Sequence, residues 1–216
     1  MRAIIFDMDG VLVDSTKYIW ESFNMLLSKF GVQIPDKDIK KYLGRSLRDQ
    51  IKMWREDYNL KEEIDFAQFS KDAFEQEIKL IRKNLKDNSE LSSLLNSLKK
   101  NGFKLAVATS SHKLRAYKLL EILGIKNKFE VIITAEDVEN HKPSPDVFLK
   151  AANKLNVDPK DCVVIEDAVN GIEAAKKGGM KAIALITKFH KREDFSDADL
   201  IIKSLSELNI TKINNI

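Results

Sequence analysis

Residues 3–14 read AIIFDMDGVLVD, and this stretch decides the fold of the chain. A short apolar run, residues 3–6, ends directly in two acidic residues, Asp7 and Asp9, with Gly10 behind them. Like charges at the end of a buried strand cost free energy unless a cation or a proton offsets them. We therefore expect either a cationic group or a proton beside Asp7 and Asp9.

Five more apolar runs follow, each short and continuously apolar, as is typical of strands buried on both faces. Helical patterns that begin at polar residues and end at glycines separate the later runs. This alternation predicts an α/β fold with a doubly wound, mostly parallel, Rossmann-like sheet. The runs are residues 104–109, 130–134, 162–166, 181–186 and 199–202.

About 70 residues after the first strand break this alternation, because they contain apolar residues at helical spacing and no strand pattern. We predict that residues 16–85 form an all-helical cap domain, inserted into a catalytic core of residues 1–15 and 86–216. The aromatic residues of the insertion are expected to form its core: Trp20, Phe23, Trp54, Phe66, Phe69 and Phe74.

Four polar segments follow predicted strands or lie in the loops between them. In a doubly wound sheet, ligands bind at the carboxyl ends of the strands, near the point where the strand order reverses. Taken alone, each segment has an ordinary explanation as a helix cap or a solvated loop. Together they predict one site: Asp7 to Gly10, Thr109 to Ser111, Lys142, and Glu166 with Asp167.

The chemistry that suits such a site is phosphoryl transfer. Carboxylate oxygens are ligands that Mg²⁺ prefers, and an aspartate can form a covalent aspartyl-phosphate. A second carboxylate nearby can give a proton to the leaving group, while Lys142 and the hydroxyl of Thr109 can hold phosphoryl oxygens.

The whole chain resembles the haloacid dehalogenase-like hydrolases, in the branch that contains β-phosphoglucomutase and many small phosphatases. Residues 7–14, DMDGVLVD, match the first motif of that family, and Thr109 matches the second. Lys142 in KPSPD matches the third motif, and EDAVNGIEAAKKGGM, residues 166–180, matches the fourth. The helical insertion is similar to the family's C1 cap.

The resemblance implies that Asp7 is the nucleophile and Asp9 the general acid and base. It also implies a Mg²⁺ site formed by Asp7, the backbone carbonyl of Asp9 and Asp167, with Glu166 in an outer position. Asp14 would be structural, at the turn into the cap.

The same resemblance assigns phosphate binding to three residues. Thr109 and Lys142 would hold the phosphoryl group, and Ser110 would add a backbone N–H. Lys142 would also steady the nucleophile.

Within the family, phosphate chemistry is favoured over dehalogenation, because dehalogenases typically lack the second aspartate. A β-phosphoglucomutase-like phosphotransferase is the alternative to a phosphatase. Such mutases carry a histidine in the first cap helix, and Ile19 stands at the aligned position, which favours hydrolysis.

Substrate specificity is expected to come from the cap, in the stretch YLGRSLRDQI. Arg45, Ser46 and Arg48 are the candidates, because the arginines could meet a second anionic group of the substrate. The other interpretation, which stays open, is that Ser46 caps a helix and both arginines are solvated.

A hypothesis from another class is a non-enzymatic phosphoacceptor module, since receiver domains also place acidic residues, a hydroxyl and a lysine at a sheet edge. The net charge is +3, but the basic residues form no continuous block, so we expect no nucleic-acid partner. No apolar run approaches the length of a membrane span, so we expect no membrane partner. We expect a cytoplasmic monomer acting on a small phosphate ester.

Overall fold

The computed structural model describes residues 2–42, 47–84, 89–188 and 190–216. The chain divides into two compact units. One combines Met1–Asp14 with Leu85–Ile216, and the other is Ser15–Asn84.

The described residues of the Ser15–Asn84 unit form four α-helices and no strand. Their shared core is aromatic: Trp54 is fully buried, and its ring lies 5.3 Å from that of Phe23 and 6.1 Å from that of Phe69, measured between centroids. Trp20 is buried as well, whereas Phe66 and Phe74 are only half-buried. The helices are α1 (Ser15–Leu27), α2 (Asp36–Tyr42), α3 (Leu47–Asp57) and α4 (Phe66–Asn84).

In the described residues the other unit contains one six-stranded sheet in which every strand pair is parallel. Its strands are β1 (Ala3–Phe6), β2 (Lys104–Ala108), β3 (Val131–Ile133), β4 (Cys162–Glu166), β5 (Lys181–Leu185) and β6 (Leu200–Ile202). Their spatial order is β3-β2-β1-β4-β5-β6. The predicted doubly wound, Rossmann-like α/β fold is confirmed.

Helices follow the strands as the sequence pattern predicts: α5 (Ser89–Lys100), α6 (Lys113–Ile122), α7 (Asp146–Leu155), α8 (Val169–Lys177) and α9 (Ile210–Asn214). Helices α7 and α8 share a buried core with alternate residues of the central strands. Many of those strand residues are alanines, which lets the helices approach the sheet closely: Ala3, Ala106, Ala108, Ala182 and Ala184.

The order of the strands reverses beside β1. Phe6, the last residue of β1, pairs with Val107 of β2 on one side and Ile165 of β4 on the other. Parallel strands end at one edge of the sheet, so the residues that follow β1, β2 and β4 meet there.

We expect Trp54→Ala to lower the free energy of unfolding by about 3–5 kcal/mol, because it leaves a cavity in the aromatic core. Phe74→Ala is the matched control, with a smaller loss, since Phe74 is half-buried. Urea unfolding followed by circular dichroism measures both values. Equal losses in the two variants would contradict the central position of Trp54.

Candidate active site

A buried lysine–carboxylate cluster lies where the strand order reverses. Asp7 follows β1 directly, and its backbone N–H donates to the carbonyl of Ile165, at 2.9 Å. Lys142, from the loop between β3 and α7, donates from Nζ to Oδ1 of Asp7 at 2.6 Å and to Oε1 of Glu166 at 2.8 Å. All three side chains are at most 8% exposed. Charges buried this deeply must be paired, and Lys142 pairs with both Asp7 and Glu166.

Two further contacts fix the position of Lys142. Its Nζ lies 4.7 Å from the centroid of the Phe148 ring, a cation–π distance, and Phe148 is itself fully buried in α7. The carbonyl of Ala108, the last residue of β2, lies 3.5 Å from Nζ. The lysine is therefore held by groups from β2 and α7 as well as by the two carboxylates.

Burial and the neighbouring charges shift the pKa values of the side chains at this edge. Burial, together with Glu166 and Asp9, raises the pKa of Asp7 to about 7 against the opposing effect of Lys142. Burial, Glu166 and Asp7 raise the pKa of Asp167 to about 9. Burial alone would lower the pKa of Lys142, but Asp7 and Glu166 outweigh it and raise that pKa.

Two glycines allow the carboxylates to come this close. Gly10 has a φ of +78°, and a Cβ there would overlap the carboxylate of Asp167. A Cβ at Gly171, in the first turn of α8, would overlap the carboxylate of Glu166. The other Glu166 oxygen, Oε2, accepts from the backbone N–H of Ala168 at 2.6 Å. A side chain at either glycine would force a carboxylate out of its place.

Asp9 lies beside this cluster with its carboxylate bound by other donors. Arg115 donates from Nη2 to Oδ1 at 2.7 Å and from Nη1 to Oδ2 at 2.8 Å. The hydroxyl of Ser111 donates to Oδ2 at 2.7 Å. The carboxyl group of Asp9 is thus held in place by the Arg115 guanidinium and the Ser111 hydroxyl.

Thr109 and Ser110 follow β2. Thr109 is buried, and its Oγ1 accepts from the backbone N–H of Ser111 at 3.0 Å. Ser110 is exposed. The structure therefore brings Thr109 to the same edge as Asp7, linked to Asp9 through Ser111.

The donor set at this edge fits a hard divalent cation such as Mg²⁺. Asp7 and Asp167 interact unfavourably as two anions, which is the condition that a bound cation would relieve. Within the described ranges, however, no three or more His, Cys, Asp or Glu side chains already stand together as metal ligands. Mg²⁺ does not require such a set, because it usually takes one or two carboxylates and keeps several waters.

The predicted specificity residues fall on the Ser15–Asn84 unit. Arg45 and Ser46 lie outside the described residues. Arg48 is exposed, and its guanidinium carbon lies 3.8 Å from the centroid of the Phe66 ring. This stacking gives Arg48 a packing role within its unit, and its predicted contact with substrate stays a prediction. Asp14 is exposed, as expected for a residue at a turn.

The sequence prediction missed two residues that contact the predicted site, Arg115 and Phe148. No local pattern marked Arg115, because Ser111 precedes the helix that begins at Lys113 and the contact depends on the rotamer of a long side chain. Nothing in the sequence marked Phe148 as different from the other apolar residues of α7.

Comparison with known proteins shows the family to which the chain belongs. The sequence profile of the haloacid dehalogenase-like hydrolases matches residues 4–185. A phosphorylated carbohydrates phosphatase of Thermotoga maritima is 31% identical over 183 residues, with 85% of this chain and 84% of that protein covered. The fructose-1-phosphate phosphatase of Escherichia coli is 33% identical over 183 residues, with 83% and 94% covered.

Among solved structures, β-phosphoglucomutase from Clostridium difficile superposes with a TM-score of 0.81 at 28% identity, with 100% of this chain and 96% of that chain covered. The chain belongs to the haloacid dehalogenase-like hydrolase family, in the branch of phosphatases and β-phosphoglucomutases. The predicted enzyme class, a hydrolase of phosphoric monoesters, is confirmed.

Among the residues that the structure describes, no helix combines the length and the apolar character that crossing a bilayer requires.

We expect the free energy of unfolding in EDTA to fall as the pH rises from about 5 to about 9. Folded Asp7 and Asp167, with pKa values of about 7 and about 9, keep protons that unfolded carboxyl groups release above about pH 4. Stability from this source is complete at low pH and is lost as the pH rises through those values. Asp167→Asn replaces this carboxyl group with a neutral amide, so the free energy of unfolding should decrease less steeply with pH.

Urea unfolding at several pH values measures this difference between the variant and the wild type. Asp197→Asn, at an exposed carboxylate, is the control and should keep the wild-type slope. A wild-type slope in Asp167→Asn would contradict the raised pKa of Asp167.

Proposed function

We propose that the chain is a Mg²⁺-dependent phosphatase that hydrolyses small phosphate monoesters through an aspartyl-phosphate on Asp7. One observation carries the proposal: buried Asp7 is paired with Lys142 at 2.6 Å where the strand order reverses. A carboxylate with a purely structural role would be satisfied by Lys142 alone, whereas Asp7 also has Glu166 and Asp167 beside it.

Asp7 is assigned the attack on phosphorus. The backbone of Asp7 is held by β1 and by the hydrogen bond from its N–H to the carbonyl of Ile165, so the carboxylate extends from a rigid backbone. Lys142 favours the ionised, nucleophilic form of Asp7 against the effect of burial, which favours the protonated form.

Asp9 is assigned proton transfer to and from the reacting oxygens. As the bond from Asp7 to phosphorus forms and the bond to the leaving oxygen breaks, the carboxyl proton of Asp9 goes to that oxygen. In the second half, a water oxygen attacks phosphorus, its proton goes to Asp9, and the Asp7–phosphorus bond breaks. Each half returns Asp9 to the form that the other half needs.

Lys142 and the hydroxyl of Thr109 are assigned to the non-bridging phosphoryl oxygens, with a backbone N–H from Ser110 as a further donor. Both side chains are buried, so their interactions with an anion would be little screened by water.

Asp7, the backbone carbonyl of Asp9 and Asp167 would hold Mg²⁺, and Glu166 would support the site through Lys142 and from an outer position. When bound, Mg²⁺ supplies positive charge that offsets the phosphoryl group and the carboxylates. Glu166 is suited to a supporting role because its two oxygens are bound by Lys142 and by the N–H of Ala168.

The substrate class is a small phosphorylated metabolite, by analogy with relatives named for phosphorylated carbohydrates and fructose 1-phosphate. The Ser15–Asn84 unit is proposed as a specificity cap, through Arg45, Ser46 and Arg48. We further propose that the protein acts as a cytoplasmic monomer. A panel of phosphometabolites ranked by kcat/KM would identify the preferred ester.

A β-phosphoglucomutase-like phosphotransferase is the second candidate, favoured by the similarity to the Clostridium difficile structure. Ile19 weighs against it, because an isoleucine cannot transfer the proton that a histidine could. Incubation with β-glucose 1-phosphate and its bisphosphate separates the two functions. Formation of glucose 6-phosphate faster than inorganic phosphate would favour the mutase.

We expect Asp7→Asn to abolish release of p-nitrophenol from p-nitrophenyl phosphate in the presence of Mg²⁺, because an amide cannot replace the nucleophile. Asp14→Asn is the control and should stay within about twofold of the wild type, since Asp14 is exposed. Turnover near the wild-type rate in Asp7→Asn would place the nucleophile elsewhere. A wild type that becomes phosphorylated without turnover would favour the phosphoacceptor hypothesis.

We expect Asp9→Asn to slow turnover by about 10²-fold or more while Mg²⁺ affinity, measured by calorimetry, stays near the wild-type value. The reason is that the carboxyl group transfers the proton, whereas the metal takes the backbone carbonyl, which the substitution keeps. A collapse of Mg²⁺ affinity in this variant would contradict the backbone-carbonyl role. Asp167→Asn should weaken Mg²⁺ binding in the same assay.

A further inference from the structure

Arg115 reaches the candidate site from a helix that carries none of the residues predicted there. It lies in the first turn of α6, and its side chain is 18% exposed. Its guanidinium forms two parallel hydrogen bonds with Asp9, one to each carboxylate oxygen, at 2.7 and 2.8 Å. Such a fork fixes the plane of a carboxylate as well as its position.

Ser111 completes this arrangement. Its hydroxyl donates to Oδ2 of Asp9 at 2.7 Å and accepts a hydrogen bond from Nη1 of Arg115. Its backbone N–H donates to Oγ1 of Thr109. The direction of the Asp9 carboxylate is therefore tied to the same segment, residues 109–115, that begins with the proposed phosphate-binding hydroxyl.

We propose that Arg115 is a positioning residue that, with Ser111, orients the carboxylate of Asp9 for proton transfer. This rests on the proposed function, in which Asp9 gives a proton to the leaving oxygen as the bond from that oxygen to phosphorus breaks. A carboxyl group transfers a proton efficiently only at hydrogen-bond distance and in line, so its orientation affects the rate.

The leaving group provides a readout that a purely structural role would not affect. An alkoxide needs a proton to depart, whereas p-nitrophenolate is stable enough to leave without one. A misdirected Asp9 therefore slows hydrolysis of alkyl phosphates far more than that of p-nitrophenyl phosphate. Loss of folded enzyme would slow both by the same factor.

The Arg115–Asp9 ion pair contributes little to the free energy of folding, because both side chains are partly exposed, Asp9 at 27%. Arg115→Met keeps the apolar stem and removes the guanidinium, so this variant should fold. Thermal unfolding with and without Mg²⁺ verifies that it does.

The experiment measures kcat/KM of the wild type and Arg115→Met for p-nitrophenyl phosphate and for the best alkyl phosphate of the metabolite panel. This parameter reports steps up to departure of the leaving group. We expect the variant to lose about tenfold or more with the alkyl ester and less than about threefold with the aryl ester. Arg115→Lys should recover part of the loss, because one ammonium group cannot bind both oxygens in parallel.

Two controls make the result specific. Lys118→Met removes a positive charge from the same helix and should leave the ratio of the two kcat/KM values unchanged. In the Asp9→Asn background, Arg115→Met should cause no further change in that ratio, because the group on which it acts is gone.

Equal losses with both esters, a gain with the alkyl ester, or a further loss in the Asp9→Asn background would each overturn the proposal. These outcomes leave the phosphatase assignment intact. A wild type that hydrolyses no alkyl phosphate instead contradicts the proposed function itself.

Discussion

The buried pairing of Lys142 with Asp7 and Glu166 is the constraint on which the rest of the site depends. Three acidic side chains cannot share one buried edge without positive charge, and one lysine cannot neutralise them all. Burial, together with the neighbouring carboxylates, raises the pKa values of Asp7 and Asp167. The negative charge that Lys142 does not neutralise makes a divalent cation and a phosphate ester chemically suitable partners, because the cation can be shared between the carboxylates and the phosphoryl oxygens.

The fold supplies this constraint through topology. Residues far apart in sequence meet because β1 lies between β2 and β4 at the point where the strand order reverses. Gly10 and Gly171 remove the side chains that would otherwise keep Asp167 and Glu166 away. In the proposed mechanism, segment 109–115 adds a second layer, since it binds phosphate through Thr109 and orients Asp9 through Arg115.

The sequence predicted the sheet well because its strands are short, continuously apolar and separated by capped helices, so local pattern and tertiary position agree. Asp7, Lys142 and Glu166 could be brought together from strand order and family motifs. The Arg115–Asp9 pair could not, because the rotamer of a long side chain depends on three-dimensional neighbours. Likewise Phe66, expected in the aromatic core, is half-buried under Arg48, a difference that helical spacing alone does not indicate.

The central claim is that Asp7 becomes covalently phosphorylated during turnover. Acid quenching during steady-state hydrolysis, followed by borohydride, converts an aspartyl-phosphate to homoserine, and peptide mass spectrometry locates the changed residue. The account predicts homoserine at position 7 in the wild type, and none when substrate is omitted. Homoserine at another position, or unmodified Asp7 in samples quenched at several times during rapid turnover, would contradict it.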